Sequence, residues 1–129
     1  MRDPIITVEN LTAHYGETMV LDDVSFTVER GTVFVILGGS GCGKTTLLKH
    51  MCGLYRPTSG AIVYEGQDIC GLDEDGVSAM QRRIGIAFQS GGLFNSMTVG
   101  DNIAMPMREF DAVDPRLIPA LVRLKLSLV

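Results

Sequence analysis

The stretch Gly38-Gly39-Ser40-Gly41-Cys42-Gly43-Lys44-Thr45 constrains this chain more than any other, because it fits the pattern G-x-x-x-x-G-K-[ST] at every fixed position. Small residues let a backbone wrap closely round a di- or triphosphate, with successive N–H groups turned into the concavity. Lys44 is then placed to reach the β- and γ-phosphates, and the Thr45 hydroxyl to hold a Mg2+ that bridges them. A helix starting at the loop adds the positive end of its dipole. The flanks suit that reading. Residues 33–37 form an unbroken apolar run of the kind buried in a parallel sheet, and residues 46–52 read as helix. Strand, loop and helix in that order predict an α/β fold that binds a nucleoside triphosphate.

Composition closes off other classes. A chain of 129 residues can hold one domain with a real core but not two. A net charge of −4 and a sequence pI near 5.0 disfavour nonspecific binding to nucleic acid, which needs a basic surface. No apolar run approaches the roughly 18 residues that span a bilayer. The start, Met1-Arg2-Asp3-Pro4, lacks the basic-then-apolar order of a signal peptide, so a cytoplasmic chain is expected. Cys42, Cys52 and Cys70 are odd in number and without metal-ligand spacing, which suits reduced thiols rather than a disulfide or zinc site.

Ahead of the loop, Ile6 and Val8, then Val24, Phe26 and Val28, alternate with polar neighbours and predict half-buried strands. Gly16 and Gly31 punctuate them, with Asp22-Asp23 and Glu29-Arg30 at expected turns. So long a β-rich lead-in is unlike the small kinases and GTPases, whose phosphate loop comes early. Beyond the first helix, Arg56-Pro57-Thr58-Ser59-Gly60 reads as a turn, and residues 61–64 as a strand closed by Gly66. Residues 73–83 read as a helix with Asp73, Glu74 and Asp75 at its front and Arg82 and Arg83 at its back, an order that complements the macrodipole. Residues 84–88 are a second buried-strand run, ended by Gln89, and a polar loop follows to Thr98. The last segment offers Asp114 as an N-cap before Pro115, or a helix start nearer Pro119, with Leu117, Leu121, Leu124 and Leu128 on one face.

Taken in order, these residues resemble the ATP-binding subunits of ABC transporters over nearly the whole chain. Tyr15-Gly16, with Val20-Leu21 and Val24-Ser25-Phe26 beyond, is similar to the family's adenine-stacking aromatic loop. Residues 38–46 resemble its Walker A loop, residues 53–60 the turn that follows, and Phe88-Gln89 its Q-loop. Within the family, Phe88-Gln89-Ser90-Gly91-Gly92-Leu93-Phe94-Asn95-Ser96-Met97-Thr98-Val99, continued by Asp101-Asn102-Ile103 and Pro106-Met107-Arg108-Glu109, is similar to the ATPases of the Mla and MCE-associated phospholipid-trafficking transporters.

The resemblance implies a P-loop NTPase fold of the ABC type, with an N-terminal antiparallel β portion and the start of a helical subdomain, cut short at its C-terminal side. Residues 1–88 would be the nucleotide-binding core and 89–129 the Q-loop and the start of the helical subdomain. ATP would be held by Tyr15, Gly38, Gly39, Ser40, Gly41, Cys42, Gly43, Lys44, Thr45 and Thr46, and Mg2+ by Thr45 and Gln89, with Lys44 and Gln89 the catalytic residues. Implied partners are a transmembrane permease, which would hold the subunit on the inner membrane, and a second ATP-binding subunit in a head-to-tail dimer. His14 and His50 read as ordinary polar residues, and the acidic run Asp73-Glu74-Asp75 as a helix start. The sequence departs from the family's pattern in two ways: no apolar strand ends in Asp-Glu, and no Leu-Ser-Gly-Gly is present. That leaves three readings open: part of a longer transporter ATPase, a fragment that binds nucleotide without turnover, and a soluble ABC protein of repair or translation.

Overall fold

The computed structural model describes residues 4–110 and 113–129, so Met1, Arg2 and Asp3, whose order argued against a signal peptide, lie outside the described residues. The chain divides into two compact units, one reaching to Gly85 and the other running from Ile86 to Val129.

The first unit is built on a long antiparallel hairpin, β1 (Pro4–Tyr15) and β2 (Thr18–Glu29), joined by a tight turn at Gly16 and Glu17. Strand β3 (Ser59–Tyr64) pairs with the other side of β1, and the short β4 (Gln67–Asp68) pairs with β3, giving the sheet order β2-β1-β3-β4. Helices α1 (Lys44–Met51) and α2 (Glu74–Gln81) add Leu47 and Met80 to a core of Val8, Leu11, Ala13, Leu21, Ile62 and Ile69. The alternating residues of both hairpin strands thus face the core as their period requires. Asp73 caps α2 as expected, its carboxylate accepting from the Gly76 N–H at 2.9 Å.

The hairpin is irregular where β3 crosses it. Asp22-Asp23, expected at a turn, instead lies inside β2. Asp23 and Asn10 both take left-handed backbone, and the Asn10 side chain donates to the Asp23 carboxylate at 2.7 Å. Short polar side chains tolerate that conformation because they bond locally. Gly60 sits against the distortion with φ 90°, and a Cβ there would fall 2.4 Å from the Asn10 carbonyl oxygen. Only glycine fits.

Glu65, in the turn between β3 and β4, accepts hydrogen bonds from two arginines, Arg30 at 2.5 Å and Arg83. Each arginine stands just before one of the two apolar runs, 33–37 and 84–88. Neither run is a strand, which corrects the sequence reading of both. Val33, Val35 and Leu37 are exposed, Phe34 stacks on Phe26 at 5.0 Å between ring centroids, and Ile86 and Phe88 are exposed. A strand exists through ladder bonds to a neighbour, and among the described residues no strand lies beside either run.

The second unit is helical. Thr98 caps α3 (Val99–Glu109), and a 3-10 turn at Pro115–Leu117 leads into α4 (Ile118–Leu126). Asp114 caps that turn by accepting from the Arg116 N–H at 2.9 Å, while Pro119 stands at the start of α4, so both proline signals are used. Of the expected leucine face only Leu121 is half-buried: Ile118 is the buried residue of α4, and Leu117, Leu124 and Leu128 are exposed.

Candidate functional site

Residues 38–43 arch over the start of α1 without joining a strand. Gly43 takes the N-cap position with φ 92°, and a Cβ there would stand 3.1 Å from the Val20 carbonyl oxygen, so the loop presses its backbone against β2. No side chain caps the helix and its first turn carries no acid. The free N–H groups and positive dipole end of α1 are thereby left to an anion. Lys44 bends back across the loop, its Nζ donating to the carbonyls of Gly38 at 2.7 Å and Gly39 at 2.5 Å and lying 3.3 Å from the Cys42 Sγ. This places a fixed positive charge over the arch. Thr45, next along α1, is exposed and offers a hard hydroxyl oxygen of the kind Mg2+ takes.

Tyr15 ends β1 with its ring 74% exposed. It borders a cavity of about 400 Å3 whose other walls are His14, Thr46, His50, Leu54, Tyr55 and Arg56. Tyr15 and Thr46, far apart in the sequence, thus border one cavity, and Thr46 follows the loop, Lys44 and Thr45 directly along the chain. Gln89 belongs to the second unit, in the exposed turn after Phe88. There the loop is ordered by Asn102, whose side-chain oxygen accepts from the Phe94 N–H at 2.8 Å while its nitrogen donates to the carbonyls of Phe94 at 3.1 Å and Thr98 at 3.0 Å.

His50, read from the sequence as an ordinary polar residue, and Leu54, Tyr55 and Arg56, read as part of a turn, all line the cavity. His50 is a buried member of α1, with Nδ1 2.8 Å from the Thr46 carbonyl oxygen and its ring edge-on to Tyr55 at 5.8 Å. The signal available was its spacing: Thr46 and His50, at i and i+4, share one helix face. Leu54, Tyr55 and Arg56 lie in the turn after α1, where nothing in their type or spacing marks them.

The phosphate-loop pattern, the hairpin and the helices have counterparts in known proteins. The protein-family model described as ABC transporter matches residues 21–128. The intermembrane phospholipid transport system ATP-binding protein MlaF of Haemophilus influenzae is 40% identical over 129 residues, all of this chain and 49% of that protein. The methionine import ATP-binding protein MetN of Rhizobium johnstonii is 40% identical over 106 residues, 82% of this chain and 29% of that protein. Among solved structures, a dimeric ATP-binding cassette in a post-hydrolysis state, bound to ADP and Pi, superposes with a TM-score of 0.83 at 26% identity, covering 95% of this chain and 56% of that one. The chain spans about half or less of the length of the curated relatives it matches. On the family match and the shared fold, the chain belongs to the ABC transporter ATP-binding family.

Proposed function

We propose that this chain forms the Mg-ATP-binding part of an ABC transporter ATPase. The observation that carries the reading is the uncapped N-terminus of α1 under an arch crossed by Lys44, with an exposed aromatic ring at the rim of the adjoining cavity. In this reading the backbone N–H groups of residues 38–46 take the phosphates, Lys44 neutralises the β- and γ-oxygens, and Tyr15 gives its face to the adenine. Mg2+ supplies charge neutralisation across the phosphates, and the Thr45 hydroxyl and the Gln89 carbonyl are oxygen donors of the type it accepts. Gln89 also suits the placing of a water, since an amide can orient one without ionising.

The intact protein would couple ATP hydrolysis to a membrane permease, working as a head-to-tail pair of ATP-binding subunits peripheral to the inner membrane. The dimeric cassette among the solved structures supports the pairing. For substrate we propose phospholipid. The likeness to MlaF over the whole chain and the residues 88–99 support it, while the MetN likeness of equal identity covers less of the chain.

Binding of a fluorescent ATP analogue tests the site. The chain should bind it in a Mg2+-dependent way, and Lys44→Ala should weaken binding at least tenfold, since a charge-assisted contact is lost. Unchanged affinity in Lys44→Ala would overturn the assignment. Vesicle-to-vesicle lipid transfer by the complete transporter tests the substrate, with ATP-independent or absent transfer counting against phospholipid.

A further inference from the structure

A lysine ammonium carries three N–H donors and no acceptor. In the phosphate loop, all three donors of Lys44 are met by the loop itself. Two go to the carbonyls of Gly38 at 2.7 Å and Gly39 at 2.5 Å, which leaves the third for the Cys42 Sγ at 3.3 Å. The place of that sulfur is fixed from a second side. A Cβ at Gly38 would fall 2.5 Å from it, so Sγ fills the volume that a side chain at position 38 would take, between the start of the arch and the ammonium.

The three partners are unequal. A backbone carbonyl is a strong acceptor and its bond to an ammonium is charge-assisted, whereas a thiol sulfur accepts weakly. The two carbonyls also tie Lys44 to consecutive residues of the arch, so losing either contact would loosen the loop. Losing the sulfur leaves the backbone where it is. A phosphate oxygen arriving at Lys44 competes for a proton already in use, and the least costly exchange is with Cys42.

We propose that Cys42 is a positioning residue for Lys44: its sulfur holds the third N–H as a weak, exchangeable partner, and a phosphate oxygen of the nucleotide replaces it while the Gly38 and Gly39 contacts stay in place. This rests on the nucleotide reading above. Two variants at one exposed position test it, since Cys42→Ser sets a stronger oxygen acceptor beside the ammonium and Cys42→Ala sets none. In equilibrium titrations with the fluorescent ATP analogue and Mg2+, Cys42→Ala should bind about three- to tenfold more tightly than Cys42→Ser, the difference that one hydrogen bond makes, with the unmodified chain between them. A sulfur that only packs against Gly38 would give the reverse order, because a serine side chain is closer to cysteine in size than an alanine side chain is. Cys42→Ser binding as tightly as Cys42→Ala, or more tightly, would overturn the proposal. The second arm repeats both variants in Lys44→Ala, where the ratio between them should fall close to one, and a ratio that persists without the lysine also overturns it. If the unmodified chain binds the analogue and the order is reversed, the exchange falls and the nucleotide site stands; if neither the unmodified chain nor any variant binds, both fall.

Discussion

Cys42 is exposed in the phosphate loop and Cys52 is buried at the C-terminal end of α1, where burial pushes its thiol up. Accessibility favours attack at Cys42, and the raised thiol slows attack at Cys52. Maleimide should label Cys42 first, and Mg-ATP should slow that labelling while leaving Cys52 unaffected, as read by mass spectrometry of the two peptides. Labelling of Cys42 at one rate with and without Mg-ATP would mean that no phosphate covers the arch. The shape of the loop was legible in the sequence because the glycine at 43 reports a left-handed backbone pressed on β2 and the lysine at 44 a charge that folds back on the loop carbonyls. His50 was not: a histidine gains its meaning from burial and from the carbonyl one turn back, and neither is written in its own letter.

Helix α3 shows the same limit one level up. Pro106 and Gly100 interrupt its periodicity, so the sequence reading stops at a polar loop. The structure starts the helix with a reciprocal cap: the Thr98 hydroxyl accepts from the Asp101 N–H at 3.1 Å and donates to the Asp101 carboxylate at 2.7 Å, with Arg108 at 3.3 Å on the other oxygen. The Thr98 hydroxyl first, and the Arg108 guanidinium second, hold the Asp101 carboxyl below the usual carboxylate range. A lowered folded value means that the contribution is present above the unfolded pKa of about 3.9 and is lost as pH falls through the lowered one. Thr98→Ala should cost about 1 kcal/mol of helical stability at neutral pH. The cost should shrink when the melt is repeated in acid, as followed by circular dichroism. A cost that does not change with pH would separate the cap from the carboxylate. The hairpin, in contrast, was legible because its two-residue period is local to each strand. The runs 33–37 and 84–88 were read as buried strands because their composition is that of one, but pairing is a property of two segments and composition describes only one.

As a whole, the described residues leave a large apolar area open, with Val33 92% and Leu37 87% exposed in the first unit. Patches of that kind mark surfaces made to be covered. The 129 residues expressed alone should bind a hydrophobic dye strongly in the native state. They should also bind Mg-ATP, as read by the same fluorescent analogue. The fork of Arg30 and Arg83 on Glu65 has a consequence for how the protein can drift. Isolated surface ion pairs contribute little, but two sharing one carboxylate form a small network. One codon change at position 65 removes both contacts, whereas either arginine can vary singly and leave the other in place. In a saturation library sorted for abundance of folded protein, position 65 should therefore accept few residues while positions 30 and 83 accept many. Even glycine and asparagine, which suit its left-handed φ of 48°, should be depleted there. Enrichment of those two would mean that backbone geometry, and not the shared charge, sets what position 65 tolerates.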